Sequence, residues 1–239
     1  IPMPLLIILS MVTSGLFAWA ISYPLLRIKG MNFLIGTFGL GIIFLNVFTS
    51  SQLLFASQGT FLPFVQPSVL YPVIIGITIA VVIFVSVLVK SSTGLSFKAV
   101  RDVPEAAQMI GINLYRTKTK ALVIGAMITG LAGAMYALYS MHITPSATFD
   151  TSISNDILLG SYIGGCGTVL GPVIIGGTIL IIIQEAARST ITVTGGHNLV
   201  LGIILVLVMM TMKQGIWSAI RTGIDKICGK LSSVKKQRR

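Results

Sequence analysis

Charge is scarce in this sequence. Asp, Glu, Lys and Arg make up 10% of its 239 residues, against about 25% in a soluble globular domain. So small a set cannot give a folded chain a water-facing surface on every side. From Met31 to Val89 there is no charged residue at all. That stretch is too long for one buried soluble helix. It is long enough for two membrane crossings of ~20 residues with a polar connection. Acidic residues are scarcer still, 6 against 17 basic ones, for a net charge of +11. The basic residues sit between apolar runs and in the tail, with no interleaved aromatics to stack bases. Nucleic acid is therefore excluded as a partner. The 2 cysteines, Cys166 and Cys228, are too few for a disulfide framework. His142 and His197 lie in loops without metal-ligand spacing, so neither a metal nor a cofactor is expected. No Gly-x-x-x-x-Gly-Lys-[Ser/Thr] loop is present to cradle phosphates, so the chain does not hydrolyse ATP by itself. An enzyme would need paired ionisable groups deep in the bundle, and the charges here sit at the ends of runs.

What is abundant is apolar sequence, 54% of the chain. It falls into runs. The first is Pro2 to Leu26, closed by Arg27 and Lys29. The second is Met31 to Phe55, followed by a polar, Pro-containing stretch to Ser68. The third is Val69 to Val89. A long basic segment, Lys90 to Lys120, precedes the fourth, Ala121 to Met141. A fifth, Ile153 to Ile163, is short. A Gly-rich break (Gly164, Gly165, Gly167) separates it from the sixth, Val169 to Ala187. The seventh is Leu199 to Met212. The reading is an all-α, polytopic membrane protein of about seven transmembrane segments. Residues 1–212 are its membrane domain, and 213–239 a basic tail held at the inner leaflet.

Basic residues gather on the cytoplasmic side of membrane proteins. With the start outside, every Lys and Arg except Arg188 falls inside, the C-terminus included. Both cysteines fall inside too, where thiols stay reduced. The fifth run is too short for a ~30 Å hydrocarbon core at 1.5 Å per residue. It reads as a half-helix or re-entrant piece, a form tolerated where protein or a water-filled cavity surrounds it. Gly125, Gly130, Ala132, Gly133 and Ala134 in the fourth run, and Gly171, Gly176 and Gly177 in the sixth, let helices approach closely in lipid.

The segment 90–120 is the most informative. Asp102 reads as an N-cap, Pro104 suits a first helical turn, and Glu105 completes a capping box. Gly111 or Asn113 can end the helix. From Val103 to Ile110 it is about 12 Å long, too short and polar to cross and too short to stand alone in water. Two supports fit it: a groove on a soluble partner, taking Ala106, Ala107, Met109 and Ile110, or the inner leaflet itself, favoured by Lys98, Arg101 and Arg116.

Arg101-Asp-Val-Pro-Glu-Ala-Ala-Gln-Met-Ile-Gly-Ile-Asn113 resembles the "EAA…G" coupling motif of ABC importer permeases, in the form found in branched-chain amino acid permeases. Three more stretches resemble that family in the same order: Leu25 to Phe33, Gly130 to Ala137, and Gly164 to Pro172. The Gly-Thr-Val-Leu-Gly-Pro form is similar to the LivM-like subunit rather than the LivH-like one. Where the family usually carries a Glu, Gly39 to Phe44 has none, a departure that bears on the substrate. The resemblance implies further helices ahead of the first run. It implies a permease subunit in the cell (inner) membrane, half of a pathway for branched-chain, hydrophobic amino acids. Its implied partners are a LivH-like second permease subunit, two ABC ATPase subunits, an extracytoplasmic solute-binding protein and membrane lipid. It implies an ATPase-coupling set of Arg101, Asp102, Glu105, Ala106, Ala107 and Gly111.

For the substrate path, intramembrane polar groups are the default candidates: Asn32, Thr37, Asn46, Asn155 and Asp156. Urea, short amides, nucleosides or sugars are the alternative cargo, since related permeases carry them. A channel is the alternative class, and flux through the purified chain alone would reveal one.

Overall fold

The computed structural model describes residues 3–28, 30–50, 59–62, 66–165 and 167–190. The seventh expected run, the basic tail, both cysteines and His197 lie outside them. The chain divides into two compact units, one ending at Asp150 and the other beginning at Thr151.

The first unit holds α1 (Met3–Leu25), α2 (Met31–Ser50), α3 (Pro67–Lys90), α4 (Ser92–Asp102), α5 (Pro104–Met109), α6 (Leu114–Ser140) and α7 (Pro145–Thr148). Among the described residues, α1, α2, α3 and α6 are the helices long and apolar enough to cross a bilayer. Their boundaries follow local chemistry. Pro67 opens α3, where its missing N–H is not needed. Met141, at φ 57°, closes α6 in the left-handed region. The expected fourth run began at Ala121; its helix starts seven residues earlier, because Asn113 caps it and Leu114 to Lys120 continue the helical turn.

The strongest packing joins α1 to α6, which run antiparallel. Ser10, Ser14, Ala18 and Ser22 recur every fourth residue of α1, a small-xxx-small stripe of the kind that lets helices approach in lipid. Ser10 Oγ donates to Gly130 O across the pair at 3.2 Å. A Cβ at Gly130 would lie 2.0 Å from Ser14 Oγ and 2.9 Å from Ser10 O. Ser22 is 1% exposed, and its hydroxyl donates to Trp19 O one turn back. Leu70, Met135 and Leu138 form a small apolar cluster where α3 meets α6, with Ile7, Ile74 and Ile77 against it. α2 is tied on by aromatic rings: Phe44 lies edge-on to Phe17 at 5.0 Å, and Phe48 stacks on Phe149 at 5.7 Å.

At the end of the unit opposite α4 and α5, β1 (Thr60–Phe61) pairs antiparallel with β2 (His142–Ile143). His142 lies against the Phe61 ring, 4.5 Å between centroids, a packing role in place of ligation.

The second unit is a hairpin of α8 (Thr151–Gly164) and α9 (Gly177–Thr190), the latter preceded by a π-helical turn, Gly171–Gly176. α8 has 14 residues, about 21 Å, short of a ~30 Å core as its sequence implied. The two arms touch through backbone: a Cβ on Gly176 would lie 1.9 Å from Gly160 O, and one on Gly164 2.5 Å from Gly171. Of the glycines noted in the fourth run, Gly125 and Gly133 have nothing within 4 Å of a Cβ position. Gly130 alone of the three makes the close approach expected of them.

Candidate functional site

The basic segment folds into a compact knuckle built from the ends of α3 and α6 with α4 and α5 between them. Three tight turns shape it. The first is at Ser91. Its Oγ donates to Leu88 O at 2.6 Å, closing α3, and accepts Gly94 N–H at 3.3 Å, opening α4. One hydroxyl thus serves two helix ends whose backbone groups would otherwise lack partners. Gly94 lets the chain fold back on itself: a Cβ there would lie 2.2 Å from Leu88 O.

The second turn is Val103, extended at φ −142° and ψ 92°. A residue before proline is pushed out of the helical region by the ring, so α4 stops and Pro104 starts α5. This corrects the sequence-based expectation for Asp102. It is the last residue of α4, not the cap of α5. The cap position is Val103, and no side chain caps it, so the capping box with Glu105 does not form. Asp102 instead pairs with Arg101, whose guanidinium lies 2.8 Å from Oδ1, both side chains exposed. An exposed pair of this kind contributes about 0–1 kcal/mol.

The third turn ends α5. Gly111 N–H donates to Gln108 O and Ile112 N–H to Ala107 O, each at 3.0 Å. With Gly111 at φ 84°, these bonds make a Schellman close, a conformation that disfavours any residue with a Cβ. Asn113, read as one possible end of α5, instead begins α6: its Oδ1 accepts Arg116 N–H at 3.0 Å.

A six-residue helix is unstable alone. Here α5 is braced by α4 and α6, with Ala107 2% exposed and Val100 of α4 also buried. Ala107 thus supports the knuckle from within, while Ala106 and Glu105 face outward. Among the described residues, Glu105 has no hydrogen-bonding or ionic partner. At the tip, Met109 is 89% and Ile110 74% exposed. Two large apolar side chains held out at a polar end, on a braced helix, form a surface ready for a partner.

The polar groups proposed for the path are not gathered. On α2, Thr37 Oγ1 donates to Leu34 O at 2.8 Å and Asn46 Nδ2 to Ile42 O at 2.9 Å. Each thereby satisfies itself on its own helix. Nine residues apart, they point to opposite faces at about 100° per residue. Asn32 is exposed on the same helix. Asn155 (exposed) and Asp156 (half-buried) lie on α8 in the second unit. Among the described residues, no group of three or more His, Cys, Asp or Glu could hold a metal.

Three features escaped the sequence reading. The α1 stripe of Ser10, Ser14, Ala18 and Ser22 was legible as a four-residue repeat of small side chains. Gly94 and the double role of Ser91 carried no signal beyond a Ser-Ser-Thr-Gly cluster.

Comparison with known families matches residues 1–209 to a family model described as the branched-chain amino acid transport system permease component. Curated proteins and solved structures give no match.

Proposed function

This chain belongs to the branched-chain amino acid transport system permease family, and on that premise we propose that it forms half of the translocation pathway of an ABC importer for branched-chain, hydrophobic amino acids. Residues 1–212 are the permease domain, and the 213–239 tail lies on the inner leaflet. A LivH-like second permease subunit completes the pathway. Two ATPase subunits drive it, and a solute-binding protein loads it from outside.

The observation that carries this reading is the exposed Met109–Ile110 tip on a braced helix pair at the basic end. The positive-inside bias puts that end in the cytoplasm, where ATPases reside. Docking into a groove would bury both side chains. Gly111 fixes the tip's direction, and Arg101, Asp102 and Glu105 supply charge beside it. α6 runs unbroken from Leu114 to Ser140, about 40 Å. A push on α4 and α5 is therefore delivered along a helix that crosses the bilayer, and through Gly130 to α1. Closure of the ATPase pair would bias the bundle between its inward- and outward-open forms.

The test replaces both tip residues, Met109→Asp with Ile110→Asp, in the assembled transporter. Burying two such side chains stabilises docking by ~3 kcal/mol or more, on the order of a hundredfold. The expected result is normal membrane insertion with ATP-driven uptake of leucine reduced at least about tenfold. Unchanged uptake would remove the basis for the coupling surface.

A further inference from the structure

The outer end of the first unit is tied together by short pieces. β1 lies between α2 and α3 in the chain, and β2 follows α6. Thr60 stands opposite Ile143 and Phe61 opposite His142, and Leu62 N–H donates to Met141 O at 2.8 Å. Phe48 of α2 stacks on Phe149, the residue after α7. The strand pair and the stack thus link the end of α2, the chain entering α3 and the end of α6. They form a strap at the end where Leu70 of α3 packs with Leu138 of α6.

Two features distinguish this strap from a rigid seam. The first is its size. Strands of two residues are too short to hold alone, since even an ordinary isolated strand pair is marginal in water. What holds them is the Phe61–His142 ring contact and close packing at Gly59. A Cβ on Gly59 would lie 2.8 Å from His142 Nε2, Ile143 O and Thr144 Cγ2. Phe61 is itself 80% exposed, so its burial adds little. The second feature is Met141. Among the described residues it is the one non-glycine residue at positive φ, 57°. A side chain with a Cβ is disfavoured there, and such strain persists where the surroundings impose it, often in switch segments. Met141 joins β2 to α6, the helix whose other end belongs to the knuckle.

We propose that the strap is a latch on the extracytoplasmic side, closed in this structure, with Met141 as its hinge. Its release lets the outer ends of α2, α3 and α6 part when the permease turns outward-open. The inference rests on the importer reading and deepens it: α6 carries movement from the knuckle to the residue where the strain sits. A permanent brace would be better served by longer strands, a buried ring pair and no strain at its root. Elements that move are drawn from the weakly held parts of a fold, and the strap is such a part.

The test locks the strap. The assembled transporter, its chain freed of cysteine by Cys166→Ser and Cys228→Ser, receives Thr60→Cys with Ile143→Cys. These positions face each other across the pair, where a Cα separation of about 5.5 Å suits a disulfide. Uptake is measured in proteoliposomes with the ATPase subunits, binding protein and leucine, and closure of the bond is followed as loss of reactive thiol. The expected result is that oxidation lowers ATP-driven uptake at least about tenfold and that reduction restores it. Oxidation should leave Thr60→Cys alone unaffected. Met141→Asn provides a second line without a cross-link. Asn accepts the left-handed region more readily, so it relieves the closed form and should slow uptake by about threefold or more. Uptake that persists in the fully cross-linked protein would overturn the latch. So would Met141→Asn transporting as fast as the unmodified protein, or faster. Either result would leave the importer reading standing, because the cysteine-free parent still transports leucine. A parent with no ATP-driven uptake would overturn both.

Discussion

Gly111 shows how much one residue decides. The knuckle needs the chain to leave α5 and enter α6 within four residues, Ile110 to Asn113, and it does so through a left-handed turn at φ 84°. Nothing lies within 4 Å of a Cβ position there, so substitution is opposed by backbone conformation and not by crowding. Gly111→Ala should cost about 1–2 kcal/mol in that turn, and the cost should fall on the direction of the Met109–Ile110 tip. The expected outcome is a transporter of near-normal stability whose ATP hydrolysis responds less to substrate-loaded binding protein, measured as the ratio of stimulated to basal ATPase rate. A ratio equal to that of the unmodified protein would show that the turn does not aim the tip. Sequence offered this glycine as one of two ends for α5, and the structure chose it over Asn113. Sequence misplaced Asp102, because an Asp three residues before a Glu satisfies the capping pattern whichever helix owns it. Only Pro104, acting backward on Val103, fixes where α4 ends.

At the scale of elements, two close contacts are set by glycine, one mainly against a serine side chain and one against backbone, and both tolerate no added atoms. α1 meets α6 at Gly130, and α8 meets the π-helical turn at Gly176. Overpacking such a site typically costs 1–3 kcal/mol, occasionally more. Gly130→Leu and Gly176→Ala should each lower Tm in detergent, by ~2–4 °C per kcal/mol in a chain of this size. Gly133→Ala, with open space around it, should be neutral, or stabilising through its better helix propensity, ~1 kcal/mol. Equal losses at all three positions would mean that helix propensity, not packing, sets the effect. The apolar composition of the runs announced each helix. It did not announce which glycine in a run sits at a crossing. The Ser10–Gly130 bond joins residues 120 apart in sequence, and local pattern carries no information about such a pairing.

For the whole molecule the governing asymmetry is charge. The excess of Lys and Arg on one side of the apolar runs predicts that the α4–α5 knuckle faces the cytoplasm. Met109→Cys, in a background of Cys166→Ser and Cys228→Ser and expressed without ATPase subunits to cover it, should react with a membrane-impermeant thiol reagent in inside-out vesicles and not in intact cells. Labelling from the outside would remove the orientation and the ATPase docking together. Seven crossings were expected from the runs. Four helices among the described residues are long enough to cross, and the fifth run forms one arm of a short hairpin. Its length was readable from the sequence, because 1.5 Å per residue applies to any helix. Its backbone contact with the turn at Gly176 was not.

The sequence by itself determined what is local: the extent of the apolar runs, the basic segment between the third and fourth, the break around Gly165 and Gly167, and the choice of Gly111 or Asn113 for the end of α5. These follow from side-chain polarity and backbone sterics, which act within a few residues. The tertiary structure decided what depends on distant neighbours. It buried Ala107 while leaving Met109 and Ile110 outside, and chose Gly130 over Gly125 and Gly133. Those outcomes rest on how helices remote in sequence fill space against one another.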